Sequence, residues 1–273
     1  MPTTRAGDGN PTKLPDDAFL VPNVARMNDF YLSGKDHYKV DREAALAVMR
    51  AVPALQTTVR ASRYFLRRVI QYLITEAGIT QIIDIGPGLP ALENVHDIAQ
   101  AHNPGTKVAY VDNDPLVLLH ARALLAKTSE TVVAWGDLRD PDTIRTNSTI
   151  RDHIDFTQPV AIMLCGILHF VTDEQDPTGI VSALMDAVPA GSHLVISHGE
   201  LRQGDKGLQA AQRIYENANA PLVLRTEHQI SAFFDGLEMV DPGVVRIPWW
   251  RPEPPIFTLN EDVLGFGGVG VKR

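Results

Sequence analysis

The stretch Gln81–Leu89, QIIDIGPGL, constrains this chain more than any other. An apolar run, Ile82, Ile83 and Ile85 around Asp84, breaks abruptly into Gly86, Pro87 and Gly88 before a helical pattern begins. It reads as a buried strand running into a glycine turn. In an open α/β sheet, ligands bind in the crevice beyond the carboxyl ends of the strands, and glycines there let a ligand approach the backbone. The stretch is therefore expected to floor a nucleotide-type pocket.

From Gln81 onward, strand and helix patterns alternate. Strands are expected over 81–86, 107–112, 131–135, 159–168 and 192–197, the fourth continuously apolar as in a strand buried on both faces. Helices are expected over 89–101, from Pro115 through Ala126, within 141–154, and over 176–188 and 206–218. A short helix at 231–234, a strand at 237–247 and a Gly-rich strand at 265–271 close the pattern. Such alternation predicts a mostly parallel sheet with helices on both faces and right-handed crossovers.

Upstream the reading changes. Residues 1–19 are polar and aperiodic, a tail. Val24, Met27, Phe30 and Tyr31 form a helical stripe, interrupted at Ser33 and Gly34; Asp41 is expected to cap a helix through Ala51, and a further helix follows Pro53 up to Gly78. The division is thus a tail over 1–19, an N-terminal helical lid or appendage over 20–78, and the sheet domain over 79–273.

Each of the first three strands ends in an acid and a turn: Asp84 with Gly86 and Gly88, Asp112 with Asn113 and Asp114, and Gly136 with Asp137 and Leu138. In a parallel sheet these ends share one edge, so the turns can surround one ligand. An acid after the second strand suits a pair of ribose hydroxyls, and Asp137 can accept from an adenine amino group while Leu138 packs on the ring.

DIGPGL, YVDNDP and GDL, in that order, resemble the cofactor motifs of the class I Rossmann-like S-adenosylmethionine-dependent methyltransferases. Together with PNVARMNDFYLSGKDHY, CGILHFVTD, GLEMVDPGVV and WWRP they resemble, more closely, the actinobacterial S-adenosyl methyltransferase family long known as a domain of unknown function. The resemblance runs from about residue 20 to the C-terminus. It implies a seven-stranded sheet of order 3-2-1-4-5-7-6 with strand seven antiparallel, and S-adenosyl-L-methionine as cofactor with S-adenosyl-L-homocysteine as product. It assigns Asp84, Gly86 and Gly88 to the methionine end, Asp112 to the ribose, and Asp137 with Leu138 to the adenine, with Asn113 also expected among the cofactor-binding residues. Cys165, Gly166 and the residues through His169 would line the sulfonium side. The chain departs from many methyltransferases in having Leu89 and Pro90 where a third glycine stands, which stiffens the turn.

Methyl transfer from a sulfonium is an in-line displacement, mostly a matter of positioning. Where a base is needed, the candidates are His169, His37 and His198. Arg63 is a candidate anchor for a carboxylate, and Asn28, Tyr31, His37 and Tyr38 are expected in the lid, where an aromatic face can stabilise a cation. The acceptor is expected to be a small molecule. A non-catalytic S-adenosylmethionine or S-adenosylhomocysteine sensor is the alternative; NAD-dependent oxidoreduction is the other rival, since Ala91 at the third glycine position is permitted in a dinucleotide fingerprint, and the acidic third turn disfavours it.

Composition narrows the partners. The net charge of −8, from 33 acidic and 25 basic residues without a like-charge block, argues against a nucleic-acid surface. The single cysteine, Cys165, excludes an internal disulfide and fits the cytoplasm. No apolar run approaches the roughly 20 residues of a membrane span. No Cys and His spacing suggests a metal. Trp249 and Trp250, in IPWWRPEPP, are expected to plug a core edge or a homodimer contact, with a substrate wall as the alternative.

Overall fold

The computed structural model describes residues 18–91, 93–126, 128–252 and 262–273; residues 1–17 of the expected tail lie outside the described residues. Three helices come first, α1 (Val24–Tyr31), α2 (Lys39–Ala51) and α3 (Leu55–Thr75). There follow β1 (Gln81–Ile85), α4 (Val95–His102), β2 (Lys107–Asp112), α5 (Pro115–Leu124), β3 (Thr131–Trp135), α6 (Asp142–Arg145), α7 (Ser148–His153), β4 (Ala161–Cys165), α8 (Pro177–Asp186) and β5 (His193–Gly199). The chain ends with α9 (Lys206–Tyr215), α10 (Glu227–Ser231), β6 (Glu238–Met239), β7 (Val245–Arg246) and β8 (Gly265–Val271).

The sheet runs β3-β2-β1-β4-β5-β8-β6, with β7 also paired to β8. Strands β1 to β5 pair in parallel, and β8 is antiparallel to β5 along its whole length. The expected class and strand order are those observed, with one correction. The single strand expected over 237–247 is two short pieces, giving eight strands rather than seven. Pro242 has no N–H for a ladder and Gly243 turns left-handed at φ +83°, so the chain leaves β8 and rejoins it.

Helix starts also shift for local reasons. α4 begins at Val95, not near Leu89, because Asn94 caps it: its backbone N–H donates to Asp97 Oδ2 and its Oδ1 accepts from the Ala91 N–H. α2 starts at Lys39, so Asp41 lies inside its first turn instead of capping it, and accepts from the Tyr38 N–H.

Alternation along the strands sorts side chains into two cores. Ile82, Val108, Met163, Val195 and Val269 face one side, against α3, α4 and Trp250. Ile83, Ile85, Ala109, Val111, Ile162, Leu164 and Ile196 face the other, against α7, α8 and Phe234. Each fully buried side chain of this size contributes about 1.5–3 kcal/mol of transfer free energy. α3 belongs to the first core through Phe65, Leu66, Val69, Ile70 and Leu73, so within the expected appendage only α1 and α2 stand off the sheet. Those two helices build a third apolar cluster with α9 and Leu224, around Met27, Tyr31, Val48, Val52 and Tyr215.

Trp250 is fully buried, its ring edge-on to Phe65 and Tyr72, whereas Trp249 remains 44% exposed. The first is a core plug. Among the described residues no helix is long and apolar enough to cross a membrane, and no group of His, Cys, Asp or Glu could hold a metal ion.

Candidate active site

One cavity lies at the carboxyl ends of β1, β2, β4 and β5, under α1 and the start of α3. Its floor is the first glycine turn. Gly86 and Gly88 both take left-handed backbone, φ +71° and +70°, and a Cβ on Gly86 would fall 2.6 Å from Ile167 Cγ1. Neither position tolerates a side chain without strain, which is why the turn carries glycines.

The second turn contributes Asp112, Asn113 and Asp114. Burial raises the Asp112 carboxyl to about 7, against the pull of backbone N–H groups from Asp114, Gly88 and Asn113. Asp114 caps α5 by accepting from Leu116 N–H and also accepts from Asn23 Nδ2 at 2.5 Å, which binds the start of α1 to the cavity edge. Cys165 and Gly166 line the side formed by β4, and burial raises the Cys165 thiol well above its usual range.

Asp84 lies outside the cavity lining. Its position in β1 points it to the same face as Ile82, between Tyr110 of β2 and Met163 of β4, under α3. It is 5% exposed, and burial raises its carboxyl to about 7, with Arg63 pulling it down and Asp112 pushing it up. Arg63 does line the cavity and donates to the Glu93 carbonyl.

The third acidic turn also departs from expectation. Asp137 is held by Arg139, whose Nε and Nη2 donate at 2.9 and 2.6 Å, and by Asn113 Nδ2 at 3.2 Å. Burial works to raise its carboxyl, but these hydrogen bonds outweigh it and the net direction is down. Leu138 is buried in the second core with Val111 and Ile144. Neither lines the cavity; Asn113 is the link between Asp137 and it.

Of the three candidate bases, His169 and His198 reach the cavity and His37 does not. His37 Nδ1 donates to Asp29 Oδ2 at 2.9 Å, and its ring packs edge-on to Phe30, 5.1 Å between centroids. It closes the α1–α2 turn. His198 Nδ1 donates to the Gly199 carbonyl at 2.8 Å, which leaves Nε2 to accept from Arg225 Nη1 at 3.1 Å. Both nitrogens are engaged, and burial with the neighbouring His169 holds the ring neutral, well below the ordinary range. His169 is different: its Nδ1 is buried without a hydrogen-bond partner. Burial, reinforced by the Arg225 charge, lowers it to about 4.

Asn28 and Tyr31 line the cavity, whereas Tyr38 turns away, under the Arg26 guanidinium and beside Phe19. Sequence reasoning missed Asn23, Glu200, Tyr215 and Arg225. Asn23 was accessible as a cap before the apolar stripe; the other three carry no local signal. Arg225 is 3% exposed and donates to the Leu168 and Val171 carbonyls and to Asp173, fixing the loop that carries His169.

Comparison with known proteins bears on this geometry. Residues 17–273 match the sequence profile of a family described as S-adenosyl methyltransferase. A DUF574 family protein from Streptomyces avermitilis is 39% identical, with a TM-score of 0.88 over 93% of this chain and 99% of its own. A candidate methyltransferase from Thermobifida fusca is also 39% identical, with a TM-score of 0.88 over 95% of this chain and 98% of its own. Human N-acetylserotonin methyltransferase, solved with S-adenosylmethionine, is 13% identical with a TM-score of 0.50 over 85% of this chain and 57% of its own, a likeness of fold. No curated protein matches. The cavity suits the methyl donor, since side chains are excluded at Gly86 and a carboxylate stands at Asp112. The fold, the glycine turn and the match along the whole sheet domain converge: this chain belongs to the S-adenosyl methyltransferase family, and it is an S-adenosylmethionine-dependent methyltransferase.

Proposed function

We propose that this enzyme methylates a small-molecule acceptor held between α1, α9 and the ends of β4 and β5. The observation that carries the reading is that the turns after β1, β2 and β4 meet the N-terminal helices around one cavity, which Asp112 and His169 both line. In this assignment the Gly86–Gly88 backbone, Arg63 and Gly166 hold the methionine portion of the cofactor. Asp112 accepts from the ribose hydroxyls, and Asn113 carries the contact toward the base, steadied by Asp137. Bound S-adenosylmethionine supplies an electrophilic methyl group on a sulfonium.

The remaining chemistry belongs to the chain. α1 acts as a lid, tied down by Asn23 on Asp114 and by the Asn219 side chain, which accepts from Val24 N–H at 2.8 Å. Excluding water and fixing the acceptor are the largest contributions such a site makes. His169, neutral above about pH 4, is a weak base whose ring can accept a hydrogen bond from the acceptor's O–H or N–H, and which becomes a cationic imidazolium if the proton transfers. His198 is a structural partner of Arg225, and His37 of Asp29. The lone cysteine supports a reducing compartment, the cytoplasm.

Calorimetric titration with S-adenosylmethionine, S-adenosylhomocysteine and NAD tests the reading. The first two should bind with micromolar-order constants and NAD should not; the reverse would overturn it. Asp112→Ala should weaken both cofactor forms by at least tenfold, and unchanged affinity would remove Asp112 from the site.

A further inference from the structure

The cavity has two halves of different character. Arg63, Asp112 and Asp114 mark the half assigned to the cofactor. The other half is walled by the third apolar cluster: Val52, Leu55 and Val59 from the N-terminal helices, and Leu208, Leu222 and Leu224 from α9 and the segment after it. Among the described residues lining that half, Glu200 carries the one formal charge. Its oxygens are engaged away from the cavity, since Arg246 donates to both of them at 2.9 Å and Arg202 Nε donates at 3.1 Å.

One polar device stands in this wall. Tyr31 and Tyr215, from α1 and α9, meet hydroxyl to hydroxyl at 3.1 Å inside the cavity. Two hydroxyls carry two protons and their mutual hydrogen bond uses one. The second O–H has no protein acceptor among the described residues, and a buried donor left unpaired is costly. The pair therefore offers one hydrogen bond to whatever fills the apolar half.

We infer that the acceptor substrate is an uncharged, largely apolar molecule with a hydrogen-bond-accepting oxygen or nitrogen, and that Tyr31 and Tyr215 select it. The inference rests on the proposed function for the position of the cofactor. An ionised substrate would have to leave water for an apolar wall whose one lining charge, Glu200, is already bonded to arginines that do not themselves line the cavity.

The test uses the full-length protein saturated with S-adenosylhomocysteine, titrated calorimetrically with 2-naphthol and with 2-naphthoate as probes of equal ring size and different charge. 2-Naphthol should bind once per chain, at least tenfold tighter than 2-naphthoate. Leu55→Glu and Leu222→Glu, both at half-buried positions on different walls, should each weaken 2-naphthol at least tenfold while S-adenosylhomocysteine affinity stays within twofold. The double variant Tyr31→Phe with Tyr215→Phe, which removes both protons, should weaken 2-naphthol about fivefold and leave naphthalene unchanged, and wild-type 2-naphthol affinity in it would overturn selection by the pair. Equal or tighter binding of 2-naphthoate, absence of saturable 2-naphthol binding, or wild-type 2-naphthol affinity in both Glu variants would overturn the inference. Failure of S-adenosylhomocysteine to bind the wild-type chain would overturn the proposed function beneath it, and is read separately in the first titration.

Discussion

Asn23 Nδ2 donates to Asp114 Oδ2 at 2.5 Å, joining the residue that caps α1 to the residue that caps α5 across 91 positions of sequence. The same Asn23 accepts from the Ala25 and Arg26 N–H groups, so one side chain both starts α1 and fastens it to the second acidic turn. Asn23→Ala should lose the cap and the fastening together, about 1–2 kcal/mol. Hydrogen exchange should quicken across α1 more than across α3, and S-adenosylhomocysteine should dissociate faster. Uniform protection in the variant would show that α1 is held by its apolar face alone.

Asp112 is a half-buried carboxylate on the cavity wall with an acid for a neighbour, an arrangement that costs stability once it is ionised. Its folded pKa of about 7 lies above the unfolded value of 3.8, so the native state holds the extra proton and stability falls as pH rises between those values. Asp112→Asn removes that loss. The variant should therefore gain stability relative to wild type at pH 8 and not at pH 4, by denaturant titration of the cofactor-free protein. Its S-adenosylhomocysteine affinity should drop about 10–100-fold, the worth of hydrogen bonds to a charged acceptor.

His169 has the opposite sign. A histidine lowered from 6.5 to about 4 contributes a stability that is complete above pH 6.5 and is lost as pH falls toward 4, where the unfolded chain takes up the proton first. His169→Gln should flatten that part of the stability profile. Once an acceptor is in hand, any acidic limb of turnover due to His169 should lie near pH 4, and a limb near 6.5 that survives His169→Gln would assign it elsewhere.

Arg225 adds its charge to the burial that lowers both histidines. Arg225→Gln strips the Leu168 and Val171 carbonyls of their donors and should cost on the order of 3 kcal/mol. In NMR titrations His169 and His198 should move up toward the ordinary range; unchanged titration would leave burial as the whole cause.

Gly86→Ala isolates the floor of the site. A left-handed alanine with its Cβ 2.6 Å from Ile167 should lose about 2–4 kcal/mol, read as a lower thermal midpoint. Substituting Ile167 with Ala in the same chain should recover the clash portion and leave the backbone portion.

Much of this molecule is written in local pattern. The strand periods, Gly86 and Gly88, Pro115 at the start of a helix and the acids after β1 and β2 are short-range features, and short-range sterics and hydrogen bonding decide them whatever the rest of the chain does. They place the strands and helices, the glycine floor and Asp112, whereas the sheet order came from the family resemblance. The tertiary structure decided everything that depends on which face or which distant partner a side chain meets. Period-two alternation turns Asp84 under α3 instead of into the crevice; Arg139 and Asn113 occupy Asp137; the second core takes Leu138; and Asp29 takes His37. Tyr31 meets Tyr215, and His198 meets Arg225, through packing of segments far apart in sequence. Charge and hydrogen-bonding capacity belong to the residue, but whether they are spent on the protein or left for a ligand is settled only by what packs beside it.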